Sequence, residues 1–232
     1  YGHISTWETG GVVDMSCLFA AAQYDNCGYG YNSAASSFNE GIGAWDTSGV
    51  TSMEGMFFHA SVFNQPIGGW VVDNVMIMND AFASASAFNQ PIGGWRVDQV
   101  TNMHHMFNDA SSFNQNIGGW RVESLDDMGS MFEDASAFDQ DLGWCVDDNV
   151  NWENAFGGTS CHQTSCGVYK VQLATGADCP TPPPSLAAHA AWVFRTSDSK
   201  LQGSITCEGI SRTDADANAQ VYVSAVADLY EV

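Results

Sequence analysis

Two columns of charged residues offer the most chemistry in this sequence. One position after each of a series of recurring tryptophans stand Asp46, Val71, Arg96, Arg121 and Cys145, and three positions after it stand Ser48, Asp73, Asp98, Glu123 and Asp147. Set on adjacent strands about 4.8 Å apart, the acids of the second column would oppose one another, and two arginines would offset them only in part. Such a face suits a cationic protein or a glycan, so Asp73, Asp98, Glu123, Arg96 and Arg121 are the candidate binding residues.

A second concentration of acid comprises Asp126, Asp127, Glu133, Asp134, Asp139, Asp141, Asp147 and Asp148. Calcium takes roughly six to eight oxygen ligands, and loop acids of this density suit it, although no EF-hand or nonapeptide pattern is present. No cofactor is otherwise expected. His104 and His105 are adjacent, and consecutive helical residues point in different directions, which suits ligation of one metal poorly. No serine or cysteine is marked out beside an oriented base, and no pair of carboxylates is set across a cleft, so no catalytic residue and no enzymatic activity is expected.

Seven cysteines stand at Cys17, Cys27, Cys145, Cys161, Cys166, Cys179 and Cys207, without a C-x-x-C pair. Disulfides in an oxidising compartment are the expected chemistry for the first six. The count is odd, so one thiol is free or bonds another molecule, and Cys207 is the candidate for an intermolecular bridge. Twenty-seven acids against six bases give a net charge of −21, which opposes nucleic acid and anionic membrane by repulsion and favours cationic partners. No apolar run is long enough to cross a membrane. The chain begins with tyrosine and carries no charged-then-apolar leader, so it is expected to be a mature or trimmed chain. The expected location is extracellular, secreted or at the cell surface.

The elements that must position these residues are repeats. FNQPIGGW at 63–70 recurs at 88–95, as FNQNIGGW at 113–120, and in altered form at 38–45 and 138–144. Trp45, Trp70, Trp95 and Trp120 are 25 residues apart and Trp144 follows after 24, a period of stacked coils. After each tryptophan, residues such as Val50, Met53, Met56, Phe57, Ala60 and Phe63 recur at steps that share one face of a short helix, with Thr51 and Glu54 spaced as a capping box. Ile67-x-x-Trp70-x-Val72 has the spacing of a leucine-rich-repeat strand, which turns Trp and Val into the core, and Gly68-Gly69 would allow a tight entry to it. The asparagine column, Asn39, Asn64, Asn89, Asn114 and then Asp139, is expected to satisfy turn backbone groups.

FNQPIGGW together with VTNMHHMFNDASSFNQNIGGW resembles the BspA-like leucine-rich-repeat surface proteins, also described as the DUF285 family. The likeness covers about residues 1–166, and the ending WCV…AF…TSC…SCGV is similar to secreted members from microalgae and related protists. The resemblance implies a surface or matrix role, adhesion included, and carries over no active site.

The expected fold is an α/β, right-handed solenoid of leucine-rich-repeat type with a short parallel β-sheet and disulfide-tied caps. Residues 1–37 read as an N-terminal cap, with a loop pinned by Cys17–Cys27 over the apolar face of the first coil. Residues 38–156 read as the repeats and 157–178 as a C-terminal cap, with Cys145 bonded to Cys161 or Cys166. Residues 179–186 read as a Pro-rich linker whose Thr181–Ser185 segment suits O-linked sugar. Residues 187–232 read as a β-rich tail too short to bury a core of its own, docking on its own chain or on another. The expected role is a non-catalytic extracellular surface or matrix subunit of a fibrous or layered assembly, whose partners are itself or other matrix components. The alternative is a recognition module using the acidic face.

Overall fold

The computed structural model describes residues 2–23, 25–27 and 31–171. The chain divides into two units, Tyr1–Ala188 and His189–Val232. The second unit, the expected linker and tail, and Cys179 and Cys207 lie outside the described residues.

The repeats of the first unit pack against one another in register. Parallel bridges join Asp14 to Ser52, then Ile77, Asn102, Asp127 and Asn151. The same increments recur in three columns of rings. Phe19, Phe57, Phe82, Phe107, Phe132 and Phe156 follow one another at 5.3–5.8 Å between centroids. Phe38, Phe63, Phe88, Phe113 and Phe138 follow at 5.9–6.0 Å. Trp45 stacks on Trp70 and Trp95 on Trp120 at 6.4 Å, and Trp120 on Trp144 at 6.2 Å. Ile67, Trp70 and Val72 and their counterparts at 92–97 and 117–122 are buried, the inward facing expected of them, although a turn and not strand alternation sets it.

The segments expected to be helical are not. Gly55, Asp80, His105, Ser130 and Asn154 have φ of 50–56°, and four residues on His59, Ser84, Asp109 and Asp134 have φ of 55–59° and Gly158 74°. A left-handed residue at every fourth position stops a right-handed helix. Each run instead becomes successive tight turns, such as Met56 N–H to Met53 O at 3.1 Å and Ala60 N–H to Phe57 O at 2.9 Å. Alternate amides are thereby turned along the stack, where Met53, Gly55, Phe57 and His59 donate to the carbonyls of Ile77, Asn79, Ala81 and Ala83 at 2.8–3.0 Å. Thr51 and Glu54 form no capping box: the Thr51 hydroxyl bonds Val13 O, and the Glu54 carboxylate accepts from Asn79 and Asn26.

The parallel pairing has moved with them. It runs through Ser52 and its equivalents, whereas the expected strand at Ile67–Val72 closes a turn, Trp70 N–H to Ile67 O at 3.0 Å. The strands among the described residues are β1 (Cys145–Asp147) and β2 (Tyr169–Val171), paired in parallel with Cys145 opposite Tyr169. The helices among them are short 3-10 turns at Ile4–Thr6, Asp25–Cys27, Ser33–Ser37 and His162–Gly167.

Both ends carry disulfides. Cys17–Cys27 forms as expected, and Trp7 and Leu18 stay 47% exposed at the N-terminal end. At the other end Cys161 bonds Cys166, not Cys145, which is disulfide-bonded elsewhere. Trp152, Ala155 and Phe156 take the places of Met128, Met131 and Phe132, as their spacing predicts, and Phe156 stacks on Phe132.

Candidate functional site

The charged row rests on the turn that closes each Ile-x-x-Trp segment. That turn buries the indole and leaves the next residue outward, so Arg96 and Arg121 project into solvent. Arg96 Nη1 lies 3.1 Å from Asp73 Oδ2 of the preceding repeat, and its Nε lies 3.7 Å from Asp98. Arg121 Nε lies 3.3 Å from Asp98 and 3.7 Å from Glu123. The five candidate residues therefore meet, as a zigzag of alternating sign across turns and not on the outer face of strands. Each arginine spans two repeats, so the like charges the sequence sets in one column are separated by guanidinium groups. Both arginines are largely exposed, and each pair contributes at most about 1 kcal/mol.

The neighbours of this row are spent locally. Asp46 Oδ1 accepts from the Ser48 amide at 3.0 Å and its hydroxyl at 2.6 Å, and these bonds hold its carboxyl below the usual aspartate value. Asp14 is lowered in the same way by the Ser16 hydroxyl and amide. Asp147 Oδ1 accepts from the Asn149 amide and side chain at 3.0 Å.

The second acidic concentration does not converge. Asp127 Oδ1 takes the Gly129 amide at 2.8 Å and Asn151 Nδ2 at 2.9 Å, while Asp141 takes the Gly143 amide at 3.2 Å. Among the described residues no three His, Cys, Asp or Glu side chains gather where they would hold a metal ion. The rings of His104 and His105 lie 3.9 Å apart but turn to different carboxylates, His104 Nδ1 to Asp127 at 3.4 Å and His105 Nδ1 to Asp80 at 3.6 Å.

The asparagine column does what its type predicts. The side-chain oxygens of Asn39, Asn64, Asn89 and Asn114 accept the amides of Asn64, Asn89, Asn114 and Asp139 at 2.9–3.0 Å. A second column escaped the sequence reading. Nε2 of Gln65, Gln90, Gln115 and Gln140 donates to the carboxamide oxygen of Asn39, Asn64, Asn89 and Asn114 in the preceding repeat at 2.7–3.1 Å, and the recurrence of Gln after Asn was the signal for it.

These columns define the class: a repeat protein whose units satisfy their polar groups on one another at a fixed increment. The chain belongs to the DUF285 family, described as Mycoplasma protein of unknown function, which it matches over residues 26–145 and 69–166. No curated protein and no solved structure was found to match it.

Proposed function

We propose that this chain is a non-catalytic extracellular scaffold, a structural subunit of a surface or matrix assembly. Its repeats would form a right-handed solenoid of the BspA-like leucine-rich-repeat kind, modified in that turns replace the helical half. The observation that carries the reading is the 25-residue increment that the backbone bridges, the ring columns and the amide columns share through the internal repeats. Side chains repeated in this way are used up inside the stack, and what remains for partners is its faces and ends. Five cysteines in disulfides fit an oxidising compartment outside the cell.

The test is sedimentation velocity and negative-stain imaging of the full oxidised chain beside Cys207→Ser. The scaffold reading expects particles larger than one chain, with any disulfide-linked dimer lost in the variant. A single monomeric species at every concentration overturns it.

A second reading, recognition through the charged row, is favoured by Val71 and Met76, which lie exposed on either side of Asp73 in the sequence. An apolar and charged surface of this kind suits a basic protein segment. Changing Asp73, Asp98 and Glu123 together to Ser should abolish such binding and leave assembly intact.

A further inference from the structure

The two ends of the stack carry complementary rows of backbone groups. In every internal repeat, four amides donate to the next repeat's carbonyls. Met128, Ser130, Phe132 and Asp134, for example, donate to Asn151, Glu153, Ala155 and Gly157 at 2.7–2.8 Å. The equivalents in the last repeat are the amides of Trp152, Asn154, Phe156 and Gly158, and among the described residues they meet no acceptor. At the opposite end the first repeat presents the carbonyls of Asp14, Ser16 and Leu18, also without a donor among the described residues, and Ala20 O, which takes one bond from the Asn32 amide. One end thus offers donors and the other acceptors, in the same register that joins any two neighbouring repeats. An unpaired row of this kind is a template for pairing with another chain.

The N-terminal end is also apolar. A cleft of about 420 Å³ opens there between Ile4, Trp7, Leu18, Phe19 and Phe38, at the start of all three ring columns. At the donor end Lys170 Nζ sits on the carbonyls of Asp148 and Val150 at 2.9–3.0 Å, beside Asn151. In the repeat register Asn151 would face Asp14, so a cation is brought to an aspartate.

We propose that the C-terminal edge at Trp152–Gly158 docks on the N-terminal edge at Asp14–Ala20 of a second copy, continuing the ladder from molecule to molecule. Because the two surfaces differ, the contact is heterologous and generates an open chain of subunits and not a closed dimer. The net charge of −21 opposes the approach, so association strengthens as salt screens it. This rests on the scaffold reading and supplies a join for it that does not involve Cys207.

The experiment uses the full oxidised chain, Cys207→Ser and Leu18→Asp. Leu18 is exposed, so the aspartate leaves the fold unchanged by circular dichroism while placing a charge in the cleft. Expected results are oligomers that lengthen with concentration and salt in wild type and Cys207→Ser, and their loss in Leu18→Asp. Substoichiometric Leu18→Asp added to wild type should shorten the oligomers, since its donor end still binds and its acceptor end stops growth. Hydrogen exchange should show the amides of residues 152, 154, 156 and 158 unprotected in the monomer and protected on assembly. Oligomers that persist in Leu18→Asp overturn the join alone, as do amides already protected in the monomer, which would mean that the chain's own later residues cover the edge. A chain monomeric in all variants and salts takes the scaffold reading down with it.

Discussion

Tryptophan Nε1 shows how much one residue in the repeat length matters. In Trp70, Trp95 and Trp120 it donates to the carbonyl of Ile42, Ile67 and Ile92 at 3.1–3.2 Å, 28 residues back. Trp144 follows a repeat that lacks one of the paired glycines, and its buried Nε1 finds no partner. Trp120→Phe forfeits a bond worth about 1 kcal/mol, whereas Trp144→Phe removes a donor whose burial costs about 1–3 kcal/mol. Thermal melts should therefore place Trp144→Phe clearly above Trp120→Phe. Asp46 gives a second prediction. Its pKa is depressed in the folded chain by Ser48, so the ionised form contributes stability that is present above the ordinary aspartate value and is lost as pH falls through the depressed one. Carbon-detected NMR titration should find its midpoint below that of a free aspartate, and Ser48→Ala, which removes the hydroxyl and keeps the amide, should move it part of the way back up.

At the scale of the repeat element, the paired glycines are not equivalent. A Cβ on Gly43, Gly68 or Gly93 would collide with the carbonyl of Pro66, Pro91 or Asn116 in the next repeat, while Gly69, Gly94 and Gly119 face open space. Gly93→Ala should cost several kcal/mol or prevent folding, and Gly94→Ala should melt within about 1 kcal/mol of wild type. The amide columns make a parallel case. Asn89→Ala strands the Asn114 amide and leaves Gln115 Nε2 only the Asn89 backbone carbonyl, a loss of about 1–3 kcal/mol by denaturant titration, but Asn89→Asp keeps an acceptor oxygen for both donors and should be tolerated at neutral pH. The repeat unit, its buried Phe, Met and Trp columns and the role of asparagine were legible because they are matters of spacing and residue type. The backbone path was not. Apolar steps of three and four fit a helix and fit a string of tight turns equally, and what separates them is conformation at Asp80, Ser84, His105 and Asp109. Small or polar residues at those positions were a faint sign of positive φ. Asp73, Arg96, Asp98, Arg121 and Glu123 fall in one row because a fixed period superposes them on any path. Its carrier was misjudged, because the pairing follows Ser52 and not Trp70.

Among the described residues the bridges and ring columns join each repeat to the next, and if stability is accordingly a sum of repeat and interface contributions, opening begins where a neighbour is missing. Reduction of Cys17–Cys27 and Cys161–Cys166 should release the terminal repeats first. Hydrogen exchange in reductant should show the bonded amides of residues 15, 17, 19 and 21 and of residues 155, 157, 159, 166 and 168 lose protection while those between residues 78 and 107 keep theirs; uniform loss would show that the unit melts as one. The in-register columns also bear on how such a chain changes length. Every internal unit presents to the unit after it what it receives from the unit before, so an in-frame duplication of 75 nucleotides inserts a 25-residue segment whose donors, acceptors and rings all find counterparts at once. Copy number can then drift through recombination with little selection against it, until the ends, which alone are irregular, are disturbed.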